Sequence, residues 1–398
     1  MNEILKPYSG QVNKGVDTST LTGKVMCGYQ GWFAGEGDGA ERGWFHWGFK
    51  PGGKCTIDMW PDMTELDSDE RYATDFKHAD GRPAEVFSSY NRKTVVRHFK
   101  WMQDYGIDGV FVQRFASQVG DSVNLNFTNT VLSHCREGAN TYGRTYAVMY
   151  DMGFGAGMVE WVINDWKQLI DEMQITSDPA YLNHNGKPVV TLWGFGFSHY
   201  GWDAEAAQEL LEMLKGDSKY GGCTVMLGLP TSWRILEGDC REDKAIHDLM
   251  IKHCDIVSPW TVGRYNTPDE AADHAVNIWS PDMDWCKEHG KEYMPVVFPG
   301  FSWHNLIPSY PLNQIPRLGG AFLWKQYVEA KKLGATMVYQ AMFDEVDEGT
   351  AIFKCTNDTP VGCFVSLEGL PSDYYLKLVG KGSQLVSGEI ELTEDLPI

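Results

Sequence analysis

The sequence predicts a single (β/α)8 TIM barrel, an α/β fold with long loops after its strands. Three observations predict it. Eight apolar runs recur about every 30–40 residues with candidate helices between them, the repeat of a βα unit. The runs are continuous rather than alternating, as parallel strands buried on both faces require. The nucleotide-binding versions of the runner-up, an open doubly wound sheet, lack their signatures: no Gly-x-Gly-x-x-Gly is rightly placed after the first strand and no Gly-Lys-Ser/Thr loop occurs. The 398 residues could hold two or three domains by length, but no internal boundary is visible. The expected organisation is a polar surface arm over 1–24 and one barrel domain over 25–398.

Taken in order, Val25–Phe33 is the first strand, followed by a flexible Gly-rich loop and Trp44-Phe-His-Trp47. Residues 48–90 hold no sustained helical period and read as a long excursion, functional or carrying small elements of its own. From Thr94 the pattern is regular. Apolar residues at 95, 96, 99, 102 and 105 make one face of a helix that Gly106 stops. Strand Ile107–Phe115, helix 124–138, strand Tyr146–Asp151 and helix 158–175 follow. Strand Pro188–Gly194 precedes helix 203–215, and Cys223–Leu229 precedes helix 241–253. Asp255–Trp260 leads to a helical region over 268–289, and Tyr293–Pro299 to helix 320–333. Met337–Phe343 is the eighth strand, and 372–380 supplies a closing helix.

Composition narrows the function. There are 34 basic and 54 acidic residues, a net charge of −20, which argues against nucleic acid or an anionic membrane as partner. No run of about 18 apolar residues marks a membrane span. The start is too polar for a signal peptide, so either the protein is cytoplasmic or a signal was removed; a periplasmic or extracellular site is suspected. The nine Cys form no C-x-x-C pair; most read as small buried hydrophobes, and Cys355 with Cys363 could bridge a hairpin. No His/Asp/Glu set has metal-ligand spacing, so no metal and no cofactor is expected. Aromatic residues make up 13%, with 15 Trp, which suits a cleft that stacks on sugar rings.

In a barrel the chemistry sits at the C-terminal strand ends. Those ends carry Tyr29, Trp32, His46 and Trp47; Gln113 and Arg114; Tyr150 and Asp151; Trp193; Trp260; His304; and Gln340 with Asp344, Glu345, Asp347 and Glu348. Rings, amides and carboxylates on one rim point to an oligo- or polysaccharide substrate. Plainer readings exist. The Trp residues can be rim core, His46 can pack between Trp44 and Trp47, Arg114 can form a structural ion pair, and Asp151 can cap its loop. Glu345 and Glu348 can start a solvated helix. That pair, however, directly follows a buried strand, where four carboxylates need an opening. Paired carboxyls are what glycoside hydrolysis uses, one as proton donor and one as base or nucleophile. Residues three apart on a strand face opposite sides, so the chain must turn after Phe343.

Phe343-Asp-Glu-Val-Asp-Glu-Gly-Thr-Ala-Ile352 resembles the Asn-Glu-Trp-His-Glu-Gly-Thr-x-Ile motif of glycoside hydrolase family 99, the endo-α-mannosidases, and the acid-x-x-Glu pair of the related family 71 α-1,3-glucanases. Gly28-Tyr-Gln-Gly-Trp and Trp44-Phe-His-Trp47 are similar to the first-strand region of those enzymes, and Tyr105-Gly-Ile-Asp-Gly-Val-Phe111 to a helix-to-strand junction. The likeness spans about 25–350. It implies an α-linked glycan as substrate, Glu348 as general acid/base and Glu345 as base assisting attack by the substrate's own 2-hydroxyl. Asp344 stands where the motif has Asn, Val346 where it has Trp, and Asp347 where it has His. A non-catalytic glycan-binding barrel, or a lyase or transglycosidase, is the alternative.

Overall fold

The structure, a computed structural model, describes residues 3–50, 54–153, 156–200, 204–241 and 244–398. Eight parallel strands form the barrel: Lys24–Tyr29, Gly109–Phe115, Thr145–Asp151, Lys187–Trp193, Thr224–Leu229, Ile256–Pro259, a split strand of Glu292–Tyr293 and Val296–Val297, and Met337–Gln340. Each pairs with its neighbour in sequence, and the eighth pairs with the first. The seventh strand is split because Pro295 has no N–H to give. Its first half pairs with strand six and its second with strand eight, so the two halves together complete the ring. The strand interiors are almost wholly buried, which accounts for their unbroken apolar character.

Local chemistry sets the helix ends. The Asn91 side chain accepts from Lys93 N and starts Arg92–Tyr105, and Gly106, at φ 75°, ends it. Asp121 accepts from Val123 N and Asn124 N at the head of Ser122–Tyr142.

Several boundaries differ from expectation. Strand one stops at Tyr29 rather than Phe33, because the N–H groups of Gln30 and Gly31 turn to the Asp344 carboxylate. Strand eight stops at Gln340, before the acidic turn. The expected helix 158–175 is α-helical over Val159–Gln168 and then widens into a π turn over Leu169–Met173. A π turn, Ala275–Trp279, likewise interrupts 268–289, just before Pro281. Helices Ala204–Gly216 and Ala245–His253 begin close to their expected starts, of which 203 and 242–243 lie outside the described residues. The closing helix runs Tyr374–Ser387, longer than expected. The excursion 48–90 contains an antiparallel hairpin, Tyr72–Lys77 with Pro83–Val86.

The N-terminal segment lies along the barrel wall through Asn13 N to Asn140 O, Val16 N to Gly143 O and Asn183 N to Thr18 O. All nine cysteines are free. The bridge between Cys355 and Cys363 does not form: Cys355 is in the core, its thiol pushed up to about 12 by burial, while Cys363 is exposed. Among the described residues no helix is long and apolar enough to cross a membrane.

Candidate active site

The acidic run leaves strand eight and folds back on itself. Phe343 N bonds Gly28 O of strand one, and Ala351 N returns to Glu345 O, closing a compact turn over 344–350. Neighbouring loops hold it. Asp58 N and Met59 N donate to Val346 O, Ser302 N to Glu348 O, and Arg317 Nη2 to Gly349 O and Ala351 O. Gly349 sits at φ 65°, and a Cβ there would lie 2.9 Å from Ser302 N, so the tight pass needs glycine. This turn brings Glu345 and Glu348, three residues apart, to one cavity.

The cavity has a volume of about 460 Å³, within the usual range for small-molecule sites. Trp32, Gln113, Asp151, Trp193, Trp260, Glu345 and Glu348 line it, from strand ends one to four, six and eight. Trp193 lies across strand five because Gly228 leaves room: a Cβ there would be 2.5 Å from the ring. Trp193 meets Trp260 edge-on at 5.5 Å, and Trp32 stacks on Phe115 at 5.0 Å.

Five buried polar atoms on this wall have no hydrogen-bond partner among the described residues: Nε1 of Trp32 and Trp193, and Oε1 of Gln30, Gln113 and Gln314; the Trp303 indole lies against Glu348. Gln113 shows how this arises. Its Nε2 donates to Tyr339 Oη and Met149 Sδ, both at 3.3 Å, leaving Oε1 for the cavity. Two donors and three acceptors left unpaired in one pocket are costly unless a ligand satisfies them. A polyhydroxylated ligand offers both kinds of partner, and indole faces offer stacking surfaces for its C–H groups.

The remaining residues expected on the rim lie outside the cavity lining, and their partners belong to the scaffold. Tyr29 Oη is buried against His98 Nδ1 at 2.9 Å. Trp47 is fully buried, packed on Phe33, Phe49 and Phe87. Arg114 is bidentate to Asp165 and also reaches Asn129 at 2.8 Å, while Tyr150 Oη donates to the same Asp165 at 2.6 Å. Gln340 Oε1 accepts from Tyr327, and its Nε2 donates to Ala341 O. Asp344 accepts from Gln30 N at 2.7 Å and Gly31 N at 2.9 Å, tying strand eight to strand one. His304 is bound through Nδ1 to Tyr310 O, its neighbours Trp303 and Tyr310 taking the cavity wall. His46 stacks behind Trp32, centroids 3.6 Å apart and planes within 8°, with Nδ1 3.2 Å from Asp347 Oδ2.

Sequence reasoning did not select Phe115, Phe197, His199, Tyr200, Phe301, Tyr310 or Gln314. The aromatic density of Phe195-Gly-Phe-Ser-His-Tyr200 after strand four was the available signal. Arg264 brings no free cation, because it pairs with Asp239. Among the described residues no cluster of three or more His, Cys, Asp or Glu is placed to hold a metal.

Electrostatics follow from the enclosure. Burial raises Glu345 well above the ordinary carboxylate range, and Glu348 and Asp347 raise it further. Burial, then Asp347 and Asp151, push Glu348 up to about 8, against the pull of Trp303. Burial alone takes Asp151 to about 7. The hydrogen bonds separate the pair. Glu345 accepts from Gln30 Nε2 at 2.5 Å and Thr350 Oγ1 at 2.7 Å, both of which favour its charged form. Glu348 is half-buried and is met by the Trp303 indole.

No family model matches the chain, and no curated protein matches it by sequence. Solved structures do. A GH99 endo-α-mannosidase from Bacteroides thetaiotaomicron superposes with a TM-score of 0.65 at 15% identity, over 93% of this chain and 99% of that one. A second structure of a GH99 endo-α-mannosidase from that organism gives 0.63 at 17% identity, over 93% and 98%. The chain has the fold of the GH99 endo-α-mannosidases. A glycoside hydrolase-like protein follows at 0.57 and 13% identity, over 96% of this chain and 98% of that one. This is a glycosidase fold along nearly its whole length, and the (β/α)8 expectation holds.

Proposed function

We propose that this protein is a glycoside hydrolase that cleaves an α-linked glycan, with Glu348 as general acid/base and Glu345 as base. The observation that carries this reading is the pair itself: two carboxyls at the end of strand eight, in a cavity whose unpaired indole N–H and amide oxygen atoms call for hydroxyl partners. Glu348, protonated at neutral pH, gives its proton to the glycosidic oxygen as the C1–O bond breaks. Glu345, whose ionised form accepts from Gln30 and Thr350, removes the proton of the adjacent 2-hydroxyl, whose oxygen closes on C1. Water then opens that ring with the proton flow reversed, Glu348 now acting as base. The 2-hydroxyl route rests on the motif likeness at 343–352; direct attack on C1 by Glu345 is the simpler variant of the same pair.

The test is product release from a panel of α-linked oligo- and polysaccharides, by wild type and Glu348→Gln. The expected result is cleavage of one linkage class by wild type and a hundred- to ten-thousand-fold loss, roughly the worth of a general acid, in the variant. Unchanged turnover in Glu348→Gln would remove the acid assignment. Binding without cleavage by wild type would leave a glycan-binding barrel instead.

A further inference from the structure

Asp347 takes no part in the chemistry above, yet it lies between the two catalytic glutamates and is only 4% exposed. Its two oxygens differ. Oδ2 is 3.2 Å from His46 Nδ1, whereas Oδ1 has no hydrogen-bond partner among the described residues. His46 in turn lies flat against Trp32, which forms the strand-one wall of the cavity. A buried carboxyl is costly at such a place, and Val346 beside it shows that the turn accepts an apolar residue.

The geometry points to Asp347 as a positioning residue that acts on the cavity at two points: through space on the proton of Glu348, and through His46 on the setting of Trp32. This rests on the glycosidase reading for its consequence, though not for its physical content. The groups facing Asp347 are His46 from the strand-one loop, Asp58 from the segment under the turn, and Asp344, Glu345 and Glu348 from the turn itself. Asp151 faces Glu348 from strand three, and Arg42 acts on His46. Burial and Arg42 hold His46 down to about 3, so the ring is neutral and able to donate from Nδ1. That donor favours the ionised form of Asp347. Once Asp347 is charged, removing a further proton from Glu348 places two negative charges side by side in an enclosed site. A charged Asp347 therefore raises the pH at which Glu348 gives up its own proton.

Asp347→Asn keeps the shape and removes the charge. In the ligand-free protein, the Glu348 carboxyl is followed by ¹³C NMR, with Glu348→Gln to assign the signal. Its midpoint is expected to fall by about half a unit or more in Asp347→Asn. With a cleaved glycan, the alkaline limb of kcat/KM falls by the same amount. A merely structural role would scale activity without moving the midpoint, and an unmoved midpoint overturns the proposal. Should Asp347→Asn not fold, wild type still decides. The His46 ring signals must follow an ionisation near pH 8, where Asp347 titrates, and a flat response overturns the coupling. His46→Asn tests the second point: KM rises several-fold while the alkaline limb stays, and an unchanged KM removes that arm. A moved Glu348 midpoint in a protein that cleaves no glycan would sink the hydrolase reading and leave this one standing.

Discussion

Two groups of buried charge stand at strand ends on either side of strand one and behave in opposite ways. At strands two and three, Arg114, Asp165, Tyr150 and Asn129 close on one another, with only Arg114 Nη1 left without a partner. At strand eight, Glu345, Asp347 and Glu348 crowd together, and the two glutamates border a cavity with five unpaired polar atoms. Both groups are enclosed at the same rim of the same barrel. The first has been satisfied by the protein, so its charges hold the fold. The second has been left unsatisfied, so its charges are available to a ligand. Partner count, more than position on the rim, distinguishes scaffold from site here.

The comparison breaks most sharply at its two centres. Glu348→Gln is expected to lose activity by a hundred- to ten-thousand-fold with the fold intact, as read by product release and circular dichroism. Arg114→Met should do the reverse. It strands Asp165 as a buried charge and costs about 3–5 kcal/mol in a denaturant titration, while the folded fraction keeps its cavity. If Arg114→Met instead abolished glycan binding in folded protein, the division drawn above would be wrong.

A smaller effect is expected at the wall. Trp193→Ala and Gln113→Ala should each weaken glycan binding by about 1–2 kcal/mol, roughly a tenfold change in Kd by calorimetry, from lost stacking and a lost hydrogen bond. Trp47→Ala, in the core behind, should lower stability with little direct effect on Kd.

The pH dependence is the finest test. As the acid, Glu348 must be protonated, so activity should fall as pH rises through about 8. Stability carries the same sign. The folded chain holds this proton up to about 8, the unfolded chain only to about 4.5. The contribution is fully present below about 4.5 and declines as pH rises towards 8. Glu348→Gln removes the decline, so its Tm should match wild type near pH 5 and exceed it near pH 8. Equal Tm values at both pH values would show that Glu348 is not raised in the fold.

Much of this was legible in the chain. The eight apolar runs, the Gly106 stop and the acid run after Met337-Val-Tyr-Gln340 belong to local pattern, and local pattern is enough to lay out a βα repeat. The pair Glu345 and Glu348 was legible for the same reason: charge directly after a buried strand needs an opening. Arg114, Tyr150 and Gln340 meet scaffold partners instead, because residues at a strand end can face the cavity or the surrounding helices. That choice depends on partners distant in sequence, such as Asp165 and Tyr327. The wall from Phe197 to Tyr200 and at Tyr310 and Gln314 was missed because it comes from loops, which carry no period to read.

By itself, then, the sequence determined the repeat, the burial of the strands and the presence of paired carboxyls at one end. The tertiary structure decided which polar atoms are spent on the scaffold and which are left for a ligand. The physical reason is range. Hydrophobic period and turn chemistry act within a few residues, whereas a hydrogen bond or a shared proton depends on what distant strands and loops bring within about 3 Å.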